Sequence, residues 1–134
     1  MRFYDTMTRS VDDFVPLEPG RVGMYSCGPT VYRYAHIGNL RTFITADLLR
    51  RVLEFEGNEV RQVCNITDVG HMTDEVTDEG VDRMLLGSED EGLTPEEIAE
   101  KYTKAYIEDT AAMNIREPAV RPKATEHIPG MIAM

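Results

Sequence analysis

The run Met24-Tyr25-Ser26-Cys27-Gly28-Pro29-Thr30-Val31-Tyr32-Arg33-Tyr34-Ala35-His36-Ile37-Gly38-Asn39-Leu40-Arg41 constrains the fold more than any other stretch of the chain. A β-rich segment ends on a thiol, Gly28-Pro29 breaks it, and a helical pattern opens near Gly38. Upstream, Pro16-Leu17-Glu18-Pro19-Gly20 makes a rigid turn that feeds Arg21 to Cys27, a segment that reads as a short buried strand. Downstream, Leu40, Ile44, Leu48, Val52 and Phe55 recur every three or four residues. They define an apolar stripe with Phe43 alongside and Arg50, Arg51 and Glu54 off it. Gly57-Asn58 supplies the left-handed residue that stops such a helix after about 18 residues. Val60, Gln62, Val63, Cys64 and Asn65 then read as a second strand. Strand, helix and strand make a βαβ unit, for which a parallel, right-handed arrangement is expected.

The remainder is less regular. Ile66 to Glu75 and the polar stretch to Gly92 predict loops and a short helix. Thr94-Pro95-Glu96-Glu97 puts a cap, a first-turn proline and a reciprocal carboxylate in order, so a helix should run to about Met113. Ile98, Tyr102, Ala105, Tyr106 and Ala112 give that helix its apolar face. Pro118 and Pro122 hold the chain extended, and Thr125-Glu126-His127-Ile128-Pro129 starts another helix just before Met134. Such an ending leads us to expect a piece of something longer.

A length of 134 residues with 42% hydrophobic composition suits one domain with its own core. The two cysteines, Cys27 and Cys64, each close a strand, so free thiols are expected rather than a disulfide scaffold. Cys64 reads as a buried core thiol. The amino terminus has no signal-peptide layout and no apolar run spans a membrane, which makes a cytoplasmic protein the default. The net charge of −10 is uneven: residues 1–65 balance eight basic against eight acidic groups, whereas residues 66–134 carry six against sixteen. That half reads as a solvated acidic surface, and strong nucleic-acid binding by this chain alone is not expected.

In a nucleotide-binding βαβ unit, phosphates sit where the first strand feeds the helix, facing free N–H groups and the positive helix end. His36 and Asn39 occupy that junction. His36 can donate to a phosphate oxygen, and Gly38 lets a flat purine approach backbone; the same residues also suit a histidine that merely caps a helix. Neither Gly-x-Gly-x-x-Gly nor Gly-Lys-Ser/Thr occurs, so a dinucleotide fold and a P-loop are both unsupported.

Cys27-Gly28-Pro29-Thr30-Val31-Tyr32, His36-Ile37-Gly38-Asn39 and Asn65-Ile66-Thr67-Asp68-Val69 together resemble the amino-terminal part of the cysteinyl-tRNA synthetases, and the resemblance covers the whole chain. It implies an α/β, Rossmann-like class I aminoacyl-tRNA synthetase catalytic domain, of which residues 1–134 form the amino-terminal part with an incomplete parallel sheet. Residues 125–134 would begin the segment leading into the family's inserted domain. The activity implied is ATP-dependent formation of cysteinyl-adenylate, with Mg, followed by transfer to tRNA(Cys). By the same resemblance Thr30, His36, Gly38 and Asn39 are ATP-side residues, Gly28 and Thr67 border the cysteine pocket, and Cys27 is one of about four zinc ligands.

Departures from the family pattern matter too. Gly70-His71-Met72 intervene after the Asn-Ile-Thr-Asp run, so nothing is carried over beyond Asp68; His71 is open to a substrate or metal role or to a plain loop role. The second family signature, Lys-Met-Ser-Lys-Ser, is absent, and with it a cation facing the transferring phosphate. The chain alone is therefore expected to be inert or feeble. An open half-sheet edge makes oligomerisation an expectation. Two alternatives stay open: a ligase joining cysteine to a glucosaminyl inositol through the same adenylate, and a non-catalytic ATP-binding or interaction module.

Overall fold

The computed structural model of the chain describes residues 1–69, 72–73, 80–81 and 91–134. His71 and the short helix expected between Ile66 and Gly92 lie outside the described residues. The chain opens with an antiparallel hairpin, β1 (Arg2–Asp5) and β2 (Ser10–Asp13), in which Arg2 faces Asp13. Sequence reasoning does not anticipate it, because its strands are short and mostly exposed. The turn after it uses Gly20 at φ +76°, and the Arg21 N–H closes on the Glu18 carbonyl at 3.0 Å.

From there β3 (Arg21–Ser26), α1 (Ile37–Phe55) and β4 (Glu59–Cys64) form the expected βαβ unit, with β3 and β4 parallel and in register from Arg21 opposite Glu59 to Ser26 opposite Cys64. Gly57, at φ +90°, releases the chain from α1, as its position predicts. The sheet gains a third rank on the far edge of β4. Ala119 donates to the Gln62 carbonyl, Cys64 to Val120, Ile66 to Pro122, and Ala124 to Ile66. Pro118 and Pro122 do hold that segment extended, and it pairs in parallel with β4. A two-residue pair, β5 (Met72–Thr73) and β6 (Gly80–Val81), is antiparallel.

The capping box at Thr94 forms: the Glu97 N–H donates to Thr94 Oγ1 at 3.3 Å and the Thr94 N–H to Glu97 Oε2 at 2.8 Å. The helix it opens, α2, runs Pro95–Ala112. A 3₁₀ turn at Thr125–His127 leads into α3 (Ile128–Ala133). The core lies where α2 meets α1 and the strand ends: Val31, Phe43, Ile66, Ile98, Tyr102 and Tyr106 are buried together, with Phe43 edge-on to Tyr106 at 5.1 Å between ring centres. Thr110, rather than Ala112, completes the buried face of α2. Among the described residues no helix is long and apolar enough to cross a membrane.

Two expectations are corrected. β3 is not a buried strand: only Val22 is buried, and Tyr25 points outward, because α1 covers one face of the sheet and no described element covers the face of Gly23 and Tyr25. The apolar stripe of α1 turns inward only at its start, where Leu40 packs against the core and Ile44 is half-buried. Leu48, Val52 and Phe55 are exposed, the last by 89%, while Asp47 is buried along with Phe43 and Leu53. The inward turn of this polar side is stabilised by specific bonds to residues 114–117. Asp47 accepts from Arg51 Nε at 2.6 Å and from the Arg116 N–H at 3.0 Å. Arg51 donates to the Asn114 carbonyl and Arg50 to the Glu117 carbonyl, at 2.6 and 2.8 Å, while Arg116 pairs with Glu54. Periodicity counts apolar residues and cannot register such bonds.

Candidate active site

The site is assembled where β3 and β4 end and α1 begins. Beyond Ser26 the chain passes Cys27, Gly28 and Pro29 alongside Asn65, Ile66 and Thr67, and backbone bonds lock the two runs together: the Thr67 N–H donates to the Pro29 carbonyl at 3.0 Å and the Val31 N–H to the Thr67 carbonyl at 3.1 Å. Glycine is required at position 28. A Cβ there would lie 1.7 Å from the Asn65 carbonyl oxygen and 3.1 Å from Cys64 Sγ. The proposed cysteine-side residues Gly28 and Thr67 are thus brought together by direct packing of the strand ends.

Asn65 adds a side-chain connection. Its Oδ1 accepts the Gly28 N–H at 3.1 Å and the Tyr25 hydroxyl at 3.0 Å, while its Nδ2 donates to Thr67 Oγ1 at 3.0 Å. Sequence reasoning assigns it no separate role, since a single asparagine after a strand carries no spacing signal. Asp68 faces elsewhere: it accepts from the Thr125 N–H and hydroxyl, at 3.0 and 2.6 Å, and so fastens the segment that enters α3.

His36 caps α1. Its Nδ1 accepts the Gly38 N–H at 3.0 Å, and Asn39 Oδ1 accepts the His36 N–H at 3.1 Å, a reciprocal pair that satisfies two donors at the start of α1. The plain capping role and the phosphate role are compatible. With Nδ1 engaged as acceptor, the neutral ring carries its proton on Nε2, so the exposed edge is a donor. At Gly38 a Cβ would come 2.8 Å from His36 Cε1, the far end of a side chain that can shift. The imidazole lies against the glycine.

A cavity of about 260 Å³ runs along the loop between β3 and α1 and is bounded by Gly28, Thr30, Tyr32, Asn39, Tyr102 and Tyr106, among others. It gathers Gly28, Thr30 and Asn39 of the expected site residues; Cys27, His36, Gly38 and Thr67 are not in its wall. A larger hollow of about 510 Å³ lies by Phe14 to Glu18 and the amino ends of β3 and β4, and none of the candidate site residues lines it. The carboxyl ends of the strands are the end at which open α/β sheets bind ligands.

Cys27 is exposed and Cys64 buried, both as free thiols. Cys64 is the core thiol its position predicts, with Sγ 3.7 Å from the Tyr106 hydroxyl. Burial, and then the neighbouring Cys64, raise the Tyr106 phenol above its ordinary pKa. Among the described residues no group of three or more His, Cys, Asp or Glu side chains is placed to hold a metal ion. A tetrahedral zinc site needs about four donors, so the residues described do not by themselves fit one, and Cys27 offers a single sulfur.

A parallel β–α–β unit with its polar groups collected at the strand ends and the first turn of the helix defines a partial Rossmann-like α/β fold. The chain belongs to the family of class I (C) tRNA synthetase catalytic domains, whose profile matches residues 13–134. It is 53% identical over 133 residues to cysteine–tRNA ligase 1 of Burkholderia lata, covering 99% of this chain and 28% of that protein. Against the cysteine–tRNA ligase of Treponema denticola it is 48% identical over 134 residues, 100% of this chain and 27% of the relative. The corresponding values for Thermus thermophilus are 47% over 131 residues, 98% and 27%. The chain thus spans a little over a quarter of the length of these relatives.

Proposed function

We propose that residues 1–134 form the amino-terminal part of the catalytic site of a cysteine–tRNA ligase, which joins cysteine to ATP as cysteinyl-adenylate with release of pyrophosphate and then passes the cysteinyl group to tRNA(Cys). The observation that carries this reading is the 53% identity, over 99% of the chain, to a protein named cysteine–tRNA ligase. The geometry described above supports it.

In this reading His36 donates from Nε2 to a phosphate oxygen and stabilises charge that develops there, held in that tautomer by its own cap bond. Asn39 closes the cap and borders the cavity, Thr30 lines the same wall, and Gly38 keeps the imidazole close. Gly28 and Thr67 line up beside the cysteine. Cys27 would contribute one thiolate to a zinc ion whose other donors lie outside the described residues. Zinc, when bound, would supply a soft Lewis acid that prefers a substrate thiolate to a hydroxyl.

The test is cysteine-dependent ATP–pyrophosphate exchange, followed by transfer of cysteine to tRNA or to a glucosaminyl inositol, with the product of the complete reading frame. Exchange together with tRNA charging is expected. Transfer to the amino sugar alone would replace this reading with the related ligase, and no exchange at all would leave a non-catalytic module.

A further inference from the structure

We infer that Asn65 is a positioning residue for the cysteine side of this site and that it sets the direction in which the Thr67 hydroxyl proton points; the inference rests on the ligase reading above. The orientation of the Asn65 amide follows from its neighbours. A backbone N–H can only donate, so the side-chain atom 3.1 Å from the Gly28 nitrogen must be the carbonyl oxygen Oδ1. The Tyr25 hydroxyl, 3.0 Å from the same oxygen, then donates as well. That fixes the amide nitrogen opposite Thr67 Oγ1 at 3.0 Å, where it donates to the hydroxyl oxygen.

An amide NH₂ has no lone pair to offer. The Thr67 proton therefore cannot point at Asn65, and among the described residues no other side-chain acceptor meets it. It is left to donate outward from the carboxyl end of β4. A ligand that brings an acceptor there, such as the carboxylate oxygen of an amino acid, meets a donor whose direction is already set, which spares the cost of ordering it on binding. The same amide ties Gly28, the residue after Cys27, to this hydroxyl, so one side chain holds both strand ends in a single arrangement.

Asn65→Asp separates direction from shape. Gly28 and Tyr25 keep an oxygen to donate to, but the second carboxylate oxygen faces Thr67 and draws its proton inward. Thr67→Val removes the hydroxyl and leaves the bonds from Gly28 and Tyr25 in place. In pyrophosphate exchange by the complete protein, each variant should raise the cysteine KM about tenfold while changing the ATP KM less than about twofold, the size expected for one lost hydrogen bond to a charged group. The double variant should be no worse than the singles, since both remove the same outward donor.

A merely structural asparagine would instead lower kcat and move both KM values together, and that result overturns the inference, as does additivity in the double variant. If N65D fails to melt cooperatively, T67V decides alone: an unchanged cysteine KM overturns the inference. A wild type without cysteine-dependent exchange overturns the ligase reading and this inference with it, whereas normal wild-type exchange with an unaffected N65D overturns only the inference.

Discussion

A Cβ on Gly28 would stand 1.7 Å from the carbonyl oxygen of Asn65, so the end of β3 and the end of β4 are in contact through backbone alone. Neither partner is the far end of a flexible side chain. Gly28→Ala must therefore push the two strand ends apart, at a cost of about 1–3 kcal/mol typical of overpacking. Thermal unfolding should show the loss, and a melting temperature equal to wild type would mean the strand ends yield more readily than the contact implies.

His36 lends itself to a separation of roles. Asparagine is a good helix cap but has no distal imidazole N–H, so His36→Asn should keep stability within about 0.5 kcal/mol while His36→Ala loses about 1 kcal/mol. Both should slow adenylate formation in the complete protein by about 10²–10³-fold, as loss of a preorganised donor does. Full exchange activity in His36→Asn would remove the imidazole from the phosphate role.

Asp47 is 7% exposed and its two oxygens hold Arg51 and the Arg116 N–H. Asp47→Ala should cost about 2–4 kcal/mol, because it strands a buried donor and part of an ion pair, whereas Leu48→Ala on the exposed side should cost under about 1 kcal/mol. Urea denaturation of the two variants compares them directly. A reversed order would mean that the apolar side of α1 is the side that stabilises it.

The two thiols should react at very different rates. Cys27 is exposed and Cys64 buried against Tyr106, so iodoacetamide should modify one equivalent quickly, and Cys27→Ser should abolish that fast phase. In the complete protein Cys27→Ser should also lower zinc content and raise the cysteine KM. Unchanged zinc in that variant would remove Cys27 from the metal.

Tyr106 sets an alkaline limit. Its pKa is raised in the folded chain, by burial first and then by Cys64, so the native state holds the phenolic proton more tightly than the unfolded state does. The stabilisation is fully present below the ordinary tyrosine value of 10.0 and is lost as pH rises beyond it. Absorbance titration at alkaline pH should therefore show late-ionising tyrosine of which Tyr106→Phe removes a part, the rest belonging to Tyr102, whose hydrogen bond to Glu91 also raises its phenol. A wild type and variant with the same late component would place that component on another ring.

The local conformation around the candidate site is legible in the sequence because it obeys short-range rules. His36 to Asn39 and Thr94 to Glu97 are both reciprocal caps, and capping is decided within three residues. The βαβ unit followed from a strand, a 3.6-period helix and a terminating glycine. The facing of the later turns of α1 is not legible in that way. The bonds from Arg50, Arg51 and Asp47 to residues 114–117 join positions more than sixty residues apart, and no spacing rule reaches that far. Asn65 carries no spacing signal of its own: of its three partners, Tyr25 lies in β3, Gly28 in the loop after it and Thr67 two residues on, past the end of β4.

The pairing of residues 119–124 with the outer edge of β4 also orders events in time. During synthesis β3, α1 and β4 emerge first and can close on one another, but the carbonyls of Gln62 and Ile66 and the amides of Cys64 and Ile66 face water until the chain has been extended past Ala124. A nascent chain that has emerged through β4 but not yet through Ala124 holds out the raw outer edge of β4, and chaperone capture should peak in that interval.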